Sequence, residues 1–222
     1  MSAPHPHVAV IADLVGSRTQ PDRAAAQYNL VAALAQVNRS VDAVQPLAPT
    51  IGDECQGVYA DVPSALRATL LLRLTLEDPL DCRFGVGLGT YRDVGRSDYG
   101  PMQDGPAWWA ARDAIVETKA RESRKHRSLR TWYVVSDDML HGSQQFPEPA
   151  AINAYLLARD EIVSGMNARS RRLLLGLLDE RTQVELAKIE DITQSAVSQN
   201  LQRSGAYAVL GGVSLLQKAS QA

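Results

Sequence analysis

Residues 7–14 read HVAVIADL, a run rich in β-branched apolar side chains interrupted only at Asp13, the pattern of a strand buried on both faces. Over residues 21–41, Tyr28, Val31, Leu34, Ala35 and Val37 recur at helical spacing, and Pro21 suits a first helical turn. A short strand ending at Ile51, a tight turn carrying Gly52, Asp53 and Glu54, and a return strand from Gly57 to Ala60 predict a hairpin. Residues 63–76 form a second, leucine-rich helix. In residues 82–91, CRFGVGLGTY, large side chains alternate with Gly85, Gly87 and Gly89, so one face of this strand is approached closely by another backbone or by a ligand. A third helix over residues 105–122 and a strand over 131–135 complete the set. This order, β, α, β, β, α, β, α, β, predicts an α+β fold with a ferredoxin-like antiparallel sheet, an added unit, and helices on one face.

Gly142, Pro147 and Pro149 then punctuate the chain. The division expected is an α+β domain over residues 1–142, a linker and connecting helix over 143–166, and a small all-α helix-turn-helix domain over 167–222, its end a last helix or a wing. Thr182 with Glu185 makes a capping box, and Thr193 is an N-cap for a following helix, three or four residues beyond the previous one. That spacing is helix-turn-helix geometry. Val197 and Leu201 share one face of the last of these helices, while Gln194, Ser195, Ser198, Gln199, Gln202 and Arg203 are the candidate DNA-contacting residues. The stretch TQVELAKIEDITQSAVSQNL resembles the helix-turn-helix of bacterial regulators and sigma-factor-like domains. In the turn, Asp191 stands where glycine is usual and Glu190 where a core leucine is usual, with Ile189 available to replace it.

Composition narrows the function classes. The 222 residues are 45% hydrophobic, enough for real cores, and 23 Lys and Arg against 25 Asp and Glu give a net charge of −2. Polyanion binding therefore needs a local patch, for which Arg169, Arg171, Arg172, Arg181 and Arg203 are candidates. Cys55 and Cys82 form neither a metal motif nor a disulfide framework, His5, His7, His126 and His141 show no ligand spacing, and no apolar stretch approaches the roughly 20 residues of a bilayer span. A cytoplasmic protein without a membrane partner is expected.

Asp13 ends the first strand and Asp53 sits in the next hairpin turn, adjacent positions when the two strands are neighbours. Such a pair can hold Mg²⁺ through oxygen ligands, with Glu54 nearby and the backbone of Gly16 and Ser17 receiving phosphate. It can equally do no more than order two turns. The blocks VAVIADLVGSR, PTIGDECQGVY, CRFGVGLGTYRDVG and DGPAWWAARDAI resemble, in order, the signatures of class III nucleotidyl cyclase catalytic domains. The resemblance implies that Asp13 and Asp53 bind metal and that Arg112 matches that family's helix arginine. It also places Pro49 where those enzymes carry a purine-reading lysine and Trp108 where they carry a ribose-positioning asparagine, which argues against catalysis. Across the whole chain the closer resemblance is to the SatD family, read as a cyclase-like domain joined to a helix-turn-helix.

The basic run KARESRKHRSLR, residues 119–130, reads as a solvated helix end, with a triphosphate grip or DNA-backbone contacts as alternatives. Of Trp108 and Trp109, one must face outward. Together these features predict a DNA-binding transcriptional regulator, dimeric, whose first domain senses a nucleotide or other phosphorylated effector with Mg²⁺. Two alternatives are an active nucleotide-transforming enzyme and a module that contacts RNA polymerase.

Overall fold

The computed structural model describes residues 5–17, 21–50, 53–97, 100–123, 125–141 and 146–219. Arg18, Ile51, Gly52, Arg124 and Gly142 therefore lie outside the described residues. Strand β1 (His7–Leu14) leads to helix α1 (Arg23–Ser40), whose N-cap is Asp22, one residue beyond the expected Pro21; its carboxylate accepts the Ala25 N–H at 2.9 Å. Strands β2 (Gln45–Pro49) and β3 (Glu54–Tyr59) form the hairpin, and α2 (Val62–Thr75) starts on the side chain of Asp61. Strand β4 (Cys82–Gly89) follows, then α3 (Pro106–Glu122) and β7 (Thr131–Val135). Between β4 and α3 lies a separate hairpin, β5 (Arg92–Ser97) with β6 (Gly100–Asp104), and after β7 a single turn, α4 (Asp137–Leu140). Neither of these was expected.

The main sheet runs β2-β3-β1-β4-β7, antiparallel except for the parallel pair β4 and β7. Two expectations need correction: the sheet is mixed, and its helices lie on both faces. Val8, Val10, Ala12 and Leu14 share a core with α1 and α2, whereas Ala9 and Ile11 pack with α3 residues Ala107, Ala111 and Ile115. The β4 glycines explain the second layer. A Cβ on Gly85 would stand 2.1 Å from the Ala111 carbonyl oxygen and one on Gly87 2.2 Å from the Ala111 nitrogen. The close neighbour of this strand is thus helix backbone, so α3 rests directly on the sheet and the reach of its side chains is set by that contact.

Five more helices follow among the described residues: α5 (Pro149–Ser164), α6 (Ala168–Leu178), α7 (Gln183–Ile189), α8 (Gln194–Arg203) and α9 (Ala206–Ala219). Helix α5 is fastened to the edge of the sheet, because Asn153 accepts the Tyr133 N–H at 2.9 Å and donates to its carbonyl at 2.8 Å. The last described element is a helix rather than a wing, and Gly212 lets α9 approach Tyr155 of α5, where a Cβ would meet the ring at 2.4 Å. One apolar cluster extends from Val8 and Leu70 through Leu156 and Leu174 to Leu201 and Val213. The described residues contain no helix long and apolar enough to cross a membrane.

Candidate functional site

Odd-numbered residues of β1 face α3, so the strand that buries Ala9 and Ile11 brings Asp13 out beneath that helix. Register does the rest: Asp13 lies directly opposite Glu54 on β3 and Arg83 on β4. Arg112 and Lys119 of α3, seven residues apart and hence on one helical face, descend onto the same row. Lys119 Nζ lies 2.9 Å from Asp13 Oδ2, and Arg83 NH1 lies 3.6 Å from that oxygen. Asp53 arrives from the hairpin turn beside Asp13 and Ser17, on the wall of the same cavity. The two aspartates therefore converge as their spacing suggests. They line an open cavity of 290 Å³ with Leu14, Gly16, Ser17, Arg83 and Lys119.

Hydrogen bonding from Ser17 holds Asp53 below the usual carboxylate range, outweighing partial burial, with a smaller contribution from Lys119. Glu54 is pushed up by burial and brought lower still by Arg112 and Gln56, so it too ends below its ordinary value. Arg112 binds Glu54 through two bonds, of 2.6 and 2.9 Å. These two expected ligand-binding residues are each other's partners, at the rim of the pair rather than inside the cavity. Burial first, then Glu54 and Asp53, pushes the Cys55 thiol up to about 12, so it is an inert packing residue.

The donor set suits a hard cation. Mg²⁺ is usually held by one or two carboxylates, with water and substrate phosphate completing the shell, and Asp13 and Asp53 supply that number. No group of three or more His, Cys, Asp and Glu side chains is placed to hold a metal among the described residues. A cage built wholly from protein side chains is thus not what these residues offer.

Arg83 is the residue that sequence reasoning missed. Its signal lay in the strand register, which puts a cation opposite Asp13. It also opens a longer chain of charges. Arg83 bonds Glu122, Arg130 reaches Glu122 at 3.0 Å and Asp81 at 2.8 Å, Arg73 reaches Asp81 at 2.9 Å and Asp160 at 3.1 Å, and Arg159 closes on Asp160 at 2.9 Å. Cation and anion alternate from Lys119 beside the cavity to Arg159 on α5. The far end is the driest, with Arg73 and Arg159 at 1% side-chain exposure and Asp160 at 0%.

The second candidate surface is the α7-turn-α8 unit. Thr182 and Glu185 cap α7 reciprocally, and Thr193 accepts the Ala196 N–H to begin α8. Asp191 adopts φ 51°, and the Ile192 N–H reaches back to the Ala187 carbonyl at 3.0 Å. The turn is a Schellman motif with aspartate in the left-handed position. Glu190 is held by Arg172 at 2.6 Å and Arg169 at 3.5 Å. Ile189 does not substitute for the missing core leucine; it is 57% exposed, and Ile192 packs inward instead. The expected row of arginines is also corrected: Arg169 and Arg172 serve Glu190, while Arg171 is bound to Asp78 at 2.9 Å and to the Arg73 carbonyl. Gln194, Ser195, Gln199, Gln202 and Arg203 are exposed and Ser198 is half-buried. Gln194 donates to Gln183, which donates to the Tyr207 hydroxyl, both at 2.9 Å.

By fold and site this is an α+β protein with a carboxylate pair under a helix that rests on strand glycines, followed by helices of which α7 and α8 are joined by a tight turn. The SatD family model matches residues 7–211, and the chain belongs to the SatD family. No curated protein matches it. Two similar solved structures are of a bacterial light-regulated adenylyl cyclase: one has TM-score 0.43 and 13% identity, covering 53% of this chain and 72% of that one, and the other has TM-score 0.42 and 13% identity, covering 54% and 42%. A third, of diguanylate cyclase SiaD in complex with its activator SiaC from Pseudomonas aeruginosa, has TM-score 0.39 and 12% identity and covers 60% of this chain and 50% of that one.

Proposed function

We propose that this chain is a DNA-binding regulator whose α+β part senses a phosphorylated small molecule, a nucleotide foremost, together with a divalent cation at Asp13 and Asp53. One observation carries the reading: the fully buried Val197 and Leu201 pin one side of α8 to the helical core while its other side presents amides, hydroxyls and Arg203 to solvent. Small hydrogen-bonding side chains on an exposed second helix are what a major groove admits. With Arg169, Arg171 and Arg172 engaged elsewhere, few cations are left for phosphates. Affinity is then modest and its salt dependence shallow. A homodimer would set two copies of α8 at a fixed spacing.

Fluorescence anisotropy with a random-sequence duplex at low salt tests the reading. Binding is expected, weakened at least about fivefold by Gln199→Ala with Arg203→Ala, with the salt slope reduced by about one for the lost phosphate contact. Absence of binding to any duplex, or indifference to the double substitution, overturns it in favour of a protein-contact role for α8.

Against turnover stands Trp108. Its side chain is packed with Ala9, Ile11 and Val58, at the position where the cyclase resemblance calls for a ribose-positioning asparagine. Incubation with ATP or GTP and Mn²⁺ is therefore expected to yield no cyclic nucleotide by mass spectrometry. Product formation abolished by Asp13→Asn would replace the sensor reading with an enzymatic one.

A further inference from the structure

The cations of the basic run have different partners. Arg130 is held by Asp81 and Glu122, and Arg121 by Glu117 at 2.6 Å and by the face of Trp132 at 4.1 Å. Lys119 alone among the described residues of the run reaches the acid pair, at 2.9 Å from Asp13 Oδ2. That oxygen is also the one Arg83 approaches. A Mg²⁺ bound there would sit about 2.1 Å from the oxygen. An ammonium and a divalent cation on one carboxylate oxygen repel at short range, in a site only partly screened by water.

Resting on the cation reading above, we propose that Lys119 is a tethered counter-ion of Asp13 that a divalent cation must displace, so that cation binding at this site is an exchange rather than an addition.

The geometry distinguishes the two resident cations. Arg83 is fixed, because its Nε is bonded to Glu122 while its NH1 faces Asp13. Lys119 is free to withdraw: its side chain is 49% exposed, against 17% for Asp13, and its ammonium sits on a flexible four-carbon stem. A displaced Lys119 stays at the mouth of the cavity it shares with Gly16 and Ser17, where a phosphate accompanying the cation meets it. Cation and anion then assist each other's binding, and by linkage the assistance is reciprocal.

Titration with Mn²⁺ alone, following free Mn²⁺ by electron paramagnetic resonance, tests the exchange. Lys119→Met is expected to bind Mn²⁺ roughly three- to fivefold more tightly than the unsubstituted chain, the size of one partly exposed ion pair removed from competition. Lys119→Arg should stay within about twofold of the unsubstituted chain, as should Arg121→Gln, which removes a charge on the same helix that does not touch Asp13. If Lys119→Met binds no more tightly, or Arg121→Gln tightens binding equally, the counter-ion role is overturned while the cation reading stands. If neither the unsubstituted chain nor Lys119→Met binds Mn²⁺, both fall.

Discussion

Arg73 and Asp160, 87 residues apart in the chain, meet at 3.1 Å with side-chain exposures of 1% and 0%. Asp160 also accepts the backbone N–H groups of Arg130 and Thr131, each at 2.7 Å. One carboxylate thus ties α2 to α5 and caps the entry to β7. Removing one member of a buried pair leaves the other charged and unpaired, which costs about 3–5 kcal/mol. Asp160→Asn should lose that much in urea unfolding; a loss below about 1 kcal/mol would show that the arginines relax into solvent instead.

Asp191 holds φ 51° in the turn between α7 and α8, a conformation that disfavours side chains with a Cβ. Asp191→Gly should stabilise the chain by about 1 kcal/mol and raise Tm by roughly 2–4 °C. An unchanged or lowered Tm would mean that the aspartate side chain has a stabilising partner in this turn.

Gly87 faces the α3 backbone, with a Cβ clash of 2.2 Å against Ala111. Gly87→Ala has no flexible side chain to push aside, so α3 itself must move. The expected cost is about 3 kcal/mol, and Mn²⁺ binding should weaken with it, since Lys119 and Arg112 move with the helix. Full stability in this variant would refute direct backbone packing.

Burial pushes the Asp81 carboxyl up, but Arg73 and Arg130 more than offset it and hold it below its ordinary value of 3.8. A lowered folded-state pKa contributes stability above the unfolded-state value, and that contribution is lost as pH falls through the folded-state value. Asp81→Asn should therefore be less stable than the unsubstituted chain at neutral pH, with the difference narrowing below about pH 4. A difference that stays constant into strong acid would assign the effect to packing rather than charge.

Period-two and helical patterns carried most of this architecture. The strand at His7–Leu14, the glycine strand and the capped α7 and α8 all stand where residue type and spacing put them. The convergence of Asp13 with Asp53 was legible too, because two neighbouring strands leave few other places for their ends. What escaped was what depends on the third dimension. The β5 and β6 segments are short and polar, without the alternation that marks a buried strand. That the glycine face would receive α3 depended on which of two close approaches occurred. The charge partners were hidden most completely. Arg171 looked like a phosphate contact until Asp78, 93 residues away, appeared beside it.

The alternating charges between Lys119 and Arg159 have a consequence for how the protein can be divided. A fragment ending at residue 142 would keep Arg73 and Arg130 but forfeit Asp160, and it would strip α2 of the leucines of α6 that cover it. Cationic stubs and bare apolar surface on the same piece favour clumping. Biochemistry on the α+β part is best done on the intact polypeptide, with the α8 surface altered by substitution rather than by deletion.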